Sequence, residues 1–165
     1  MPHMLMSTSR RGSAISWLAL TALLPIVSAC GEEEAGTSVH DFMESTSEVN
    51  TLALSDIYDH DVSGVVIVCA YTGAKAIRDE LGFRWRGAAG LADKLDSTDT
   101  HQAIIAVHED DVVESEVVPI DVLHLCDMDL SYPATIDAGT TLRIAWSSVP
   151  WSDGTEKRIP VASIQ

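Results

Sequence analysis

Val65 to Tyr71 (VVIVCAY) is the stretch that most constrains the fold: seven residues without a charge, opened by Gly64 and closed by Thr72-Gly73. A continuous β-branched run of this length between turn signals is the pattern of a strand buried on both faces. The domain is therefore expected to be organised around residues 65–71 as its central strand.

The flanking segments supply what would cover it. Upstream, Val39, Phe42, Met43 and Val49 recur at roughly helical spacing, with Thr37 or Ser38 available as N-cap. Asp59-His60-Asp61 forms a polar turn before the central strand. Downstream, Ala74, Ile77 and Leu81 share one helical face opposite Lys75, Arg78, Asp79 and Glu80, and Gly82 is placed to end that helix. A second short helical piece fits residues 88–95. After the loop at 96–100, the runs 102–107 and 112–118 read as strands joined by His108-Glu109-Asp110-Asp111, a polar connection of hairpin length. Residues 122–126 form a further apolar run with weak alternation. Leu142, Ile144 and Trp146 alternate with Thr141, Arg143 and Ala145, the period of a half-buried strand. Residues 159–164 fit one more strand, which Pro160 confines to an edge. The pattern predicts an α+β domain: a mixed or antiparallel sheet of about five strands with helices on one side.

Charge and the first 31 residues say where such a domain would work. Arg10 and Arg11 precede an apolar run from Ala14 to Val27 that Ser16, Thr21 and Pro25 interrupt. A spanning helix needs about 18 or more apolar residues, so this run reads as the core of a secretory leader and not as an anchor. It ends in Val27-Ser28-Ala29-Cys30-Gly31, which resembles the lipobox of bacterial lipoproteins. The resemblance implies cleavage before Cys30, a diacylglyceryl group on that cysteine, and residence on the outer face of the cell membrane. Residues 1–29 are then a signal peptide and 30–38 (CGEEEAGTS) a lipidated acidic tether. Residues 39–165 are left as a single extracytoplasmic domain. The body, through Val65–Ala74 and the following Trp85, resembles uncharacterised envelope lipoproteins of actinobacteria, a resemblance that implies no activity.

Beyond the leader, 8 basic residues face 25 acidic ones, a net charge of −17. Nucleic acid and anionic headgroups would be repelled, so the only membrane contact expected is through the lipid on Cys30. With Cys30 assigned to the lipid, Cys69 and Cys126 remain in an oxidising compartment. They are expected to form a disulfide, the alternative being two buried thiols.

The signals for chemistry are sparse. Six histidines are present, but no pair has the spacing of a zinc motif, so no metal and no cofactor is expected. There is no G-x-S-x-G, no S-x-x-K beyond the leader and no Gly-rich phosphate loop after the central strand. No catalytic residue is therefore assigned. Arg84-Trp85-Arg86 is the one dense basic spot, with Trp85 and Trp146 fitting the core. Ser147 to Gly154 (SSVPWSDG) reads as a connection, stiffened by Pro150 and turned by Asp153-Gly154, with Trp151 at its tip. Pro150, Trp151 and Asp153 are the candidate contact surface, the alternative being that Trp151 folds back to cap the core, as a mostly buried indole would. The leading expectation is a lipid-anchored domain that binds an unknown protein or small-molecule ligand. A small envelope hydrolase or redox protein with dispersed residues is the first alternative, and a structural envelope protein the second. A cleft joining histidine to carboxylates would favour the hydrolase or redox reading, and an exposed aromatic loop without such a cleft would favour binding.

Overall fold

The computed structural model describes residues 38–46, 49–58, 61–151 and 153–165. The leader, Cys30, the tether up to residue 37, and Asp59-His60 lie outside the described residues. Close contacts divide the chain into residues 1–32 and 33–165, and every described element belongs to the second unit.

The order is α1 (Val39–Ser45), β1 (Thr51–Ala53), β2 (Gly64–Val68), α2 (Ala74–Leu81), α3 (Ala88–Leu95), β3 (His101–His108), β4 (Asp111–Pro119), β5 (Ala134–Asp137), β6 (Thr141–Pro150) and β7 (Glu156–Ile164). The α+β expectation holds, but with seven strands in two antiparallel sheets where about five in one were expected. One sheet has the order β4-β3-β2-β5 and the other β1-β6-β7.

This arrangement explains why β2 reads as apolar throughout. Its alternate residues serve two separate cores. Val65 and Ile67 join Ile104, Ile136, Leu142 and Ile144, so that face looks towards the second sheet. Val66 and Val68 join Ile77, Leu91, Leu95 and Ile105, so the other face is roofed by α2 and α3. Helices α2 and α3 thus lie on one side, as the pattern predicts, while Val39 of α1 belongs to the core on the other. All five β2 residues are buried.

Local chemistry sets the element ends. The Ser38 hydroxyl accepts from the Asp41 amide at 3.0 Å and caps α1, so the supposed tether gives its last residue to the helix. Gly82 closes α2 at φ 72°, and its amide donates to the Arg78 carbonyl. The central strand ends at Val68, three residues before the expected limit. Cys69 opens a turn, with the Thr72 amide donating to its carbonyl, and Tyr71 takes φ 62° with its side chain 65% exposed. A left-handed tyrosine cannot continue a strand.

Residues 122–126 correct the sequence reading in a more instructive way. They are not a strand. His124 makes one parallel bridge to β7, its amide donating to the Pro160 carbonyl at 2.7 Å and its carbonyl accepting from Ala162 at 2.9 Å. On the opposite edge of the segment the partner is a side chain. Gln102, fully buried on β3, donates to the Leu123 carbonyl and accepts from the Leu125 amide at 3.0 Å. One amide side chain takes the place of a neighbouring strand. Pro160 does lie on an edge strand, as expected, and His124 covers that edge.

Tyr58 packs in the core between the sheets, 8% exposed. Burial, reinforced by the carboxylates of Glu114 and Glu116, pushes its phenol far above the ordinary value. The folded state therefore holds this proton more tightly than the unfolded chain. Its contribution is complete below the unfolded value near pH 10 and declines by about 1.4 kcal/mol per pH unit above it. In urea titrations between pH 9.5 and 11.5, Tyr58→Phe is expected to flatten this decline. An unchanged slope would remove Tyr58 as its source.

Candidate functional site

The end of the β6–β7 hairpin borders a concavity. The two strands pair continuously from Leu142↔Ile164 to Pro150↔Glu156. Ser147 to Pro150, read from sequence as loop, is therefore strand, and the connection shrinks to residues 151–155. The apolar alternation stops at Trp146, but the backbone ladder continues as a ribbon with little to bury. At the turn, the Trp151 amide donates to the Thr155 carbonyl at 2.7 Å, and Gly154, at φ 82°, donates back to the Trp151 carbonyl at 2.9 Å.

Trp151 is half-buried and held from one side by a cation. Lys157 Nζ stands 4.1 Å from the ring centroid and 3.3 Å from Asp121 Oδ2. The indole also lines a cavity of about 260 Å³ together with Asp99, Thr100, Ile120, His124, Val149, Pro150 and Ile159. These residues come from four stretches of chain: the loop before β3, the segment after β4, the end of β6 and the middle of β7. The hydroxyl of Thr100 is positioned by two neighbours, Thr98 Oγ1 at 2.6 Å and His101 Nδ1 at 3.0 Å. A second hollow of about 350 Å³, lined by Asp127–Leu130 with Ser163 and Ile164, has neither an aromatic ring nor a histidine.

Of the three proposed contact residues, Pro150 and Trp151 meet in the cavity wall and Asp153 does not. Its carboxylate accepts from the Thr155 hydroxyl at 2.6 Å and the Thr155 amide at 2.9 Å, which holds the carboxyl below its usual range. Asp153 builds the turn that presents Trp151. Sequence reasoning missed Asp99, Ile120 and His124 as wall residues, because nothing local marks them.

Cys69 and Cys126 are joined by a disulfide with Cα atoms 5.8 Å apart. The bridge ties the exit of β2 to the segment that carries His124. Trp85 leans over Gly87, where a Cβ would lie 2.3 Å from the indole, and packs on the core under α2 and α3. Trp146 is half-buried, with the Arg158 guanidinium 5.4 Å from its ring centroid. Among the described residues no three His, Cys, Asp or Glu side chains converge as metal ligands, and no helix is long and apolar enough to cross a membrane.

Comparison of the chain with protein-family models, with curated proteins and with solved structures finds no match. Function must therefore be argued from the cavity itself.

Proposed function

We propose that this chain is a lipid-anchored, extracytoplasmic binding domain whose ligand enters the cavity beside Trp151. One observation carries the reading: an indole at the end of the β6–β7 hairpin, with Lys157 over the ring, forms one wall of a hollow whose largely apolar lining also includes Asp99, Thr100 and His124. Small-molecule sites commonly combine an apolar lining with a few converging polar groups. The hydrolase alternative draws on the Thr100–His101 contact and on His124 sharing a cavity with Asp99. A hydroxyl nucleophile also needs its base oriented by a third group, and among the described residues the His101 ring has no hydrogen bond besides that to Thr100.

A ligand-observed NMR screen of small aromatic and aliphatic compounds against the full chain tests the binding role. Trp151→Ala is expected to abolish the hits while lowering stability by only about 1–2 kcal/mol, because the ring is half-buried. A loss of about 3–5 kcal/mol, the range for a buried tryptophan, would make Trp151 a cap on the core and remove the contact role.

Support for the anchor comes from the sequence alone, in the lipobox at Val27–Cys30. Cys30→Ala is expected to move the protein from the detergent phase to the aqueous phase and to remove the acyl mass from its N-terminus. Unchanged partitioning with an unlipidated wild-type mass would exclude the anchor.

A further inference from the structure

The geometry points to a small primary amine on an apolar, ring-sized body as the ligand of the Trp151 cavity, an inference that rests on the cavity being a ligand site. Two kinds of surface meet there. Ile120, Val149, Pro150, Ile159 and the indole of Trp151 favour an apolar body. Among the described residues the polar lining is Asp99, Thr100 and His124, with no lysine or arginine in the wall.

Of these groups the His124 ring and the Thr100 hydroxyl each carry donor and acceptor capacity, so the carboxylate of Asp99 sets the preference. An ionised carboxylate can only accept hydrogen bonds. The Thr100 hydroxyl, already hydrogen-bonded with Thr98 Oγ1 and His101 Nδ1, is able to accept as well as to donate. An ammonium group has three donors and no acceptor, and it answers both. The cation nearest the indole, Lys157, is engaged with the ring and with Asp121, so it is poorly placed to attract an anion into the cavity.

Long-range charge acts in the same direction. With 25 acidic against 10 basic residues, the chain concentrates cations near its surface and repels anions. Size narrows the class further. At about 260 Å³ the cavity falls just below the range of roughly 300–1,000 Å³ usual for drug-sized ligands, which fits one ring with a short amine-bearing chain. Asp99 is exposed, so the ammonium would sit at the mouth while the ring is enclosed.

Calorimetric titration of the full chain with phenethylamine, 2-phenylethanol and 3-phenylpropionate tests this assignment. The amine is expected to bind most tightly and the carboxylate most weakly. Asp99→Asn is expected to weaken the amine by about two- to fivefold, the scale of an exposed ion pair, and to weaken the alcohol less. If the alcohol or the carboxylate binds as well as the amine, or if Asp99→Asn has no effect, the amine assignment is overturned. The cavity reading survives that outcome as long as Trp151→Ala still abolishes binding. If none of the three probes binds, or if binding ignores Trp151, the cavity reading is overturned and the amine with it.

Discussion

Replacing Cys69 and Cys126 together by alanine is expected to lower the unfolding free energy by about 4 kcal/mol. The bridge closes a loop of 57 residues in sequence separation, and the chain-entropy relation assigns a loop of that length roughly this value. Against a typical total of about 5–15 kcal/mol the loss is large. It also has a location. Cys126 follows His124 by two residues, so the bridge secures the stretch that carries one cavity wall to the end of β2. Urea unfolding of the oxidised wild type beside the double variant measures the effect. A difference below about 1 kcal/mol would mean that the unfolded chain gains little freedom when the bridge is absent.

Gln102→Leu is expected to cost a similar amount by a different route. Gln102 is fully buried and pairs with the Leu123 carbonyl and the Leu125 amide. Leucine keeps much of the volume and leaves both backbone groups buried without a partner, at about 1–3 kcal/mol each. Chemical denaturation gives the total, about 4 kcal/mol, and amide exchange gives the place. Protection should fall first at Leu125 and then at Ala162, whose amide bonds the His124 carbonyl from β7. A loss spread evenly over the molecule, with Leu125 still protected, would show that the side chain merely fills space.

These two sites also mark where the sequence could and could not be read. Val65–Val68 was legible because β-branched residues on both faces of a strand leave a continuous apolar run. The helix closed by Gly82 was legible because a left-handed terminus favours one residue type. Leu123–Leu125 was half-legible. Its alternation pointed to a strand, but only His124 bridges to β7, and the partner on the other side is the Gln102 side chain. Strands β1 and β5 span three and four residues, too short to express a period of two. Trp151 and Pro150 were conspicuous in the sequence because large rings and prolines in a polar stretch stand out. Ile120 and His124 were not, since a cavity wall assembled from separate parts of the chain leaves no local spacing to detect. Asp153 was correctly placed at a turn, and the structure puts it outside the cavity wall that holds Pro150 and Trp151.

The outer rims of the two sheets have a further consequence. At β5, both the amide and the hydroxyl of Thr135 donate to Glu80 of α2, at 2.9 and 2.6 Å. At β7, the backbone of His124 occupies the Pro160 carbonyl and the Ala162 amide. Molecules tethered to one bilayer, as proposed for this chain, diffuse in two dimensions and collide with their neighbours far more often than free ones. Under such crowding an unoccupied strand rim is a template on which copies zip together. Here a helix carboxylate and a loop backbone already hold these positions, so neighbours can be densely packed on the surface without joining sheet to sheet along them.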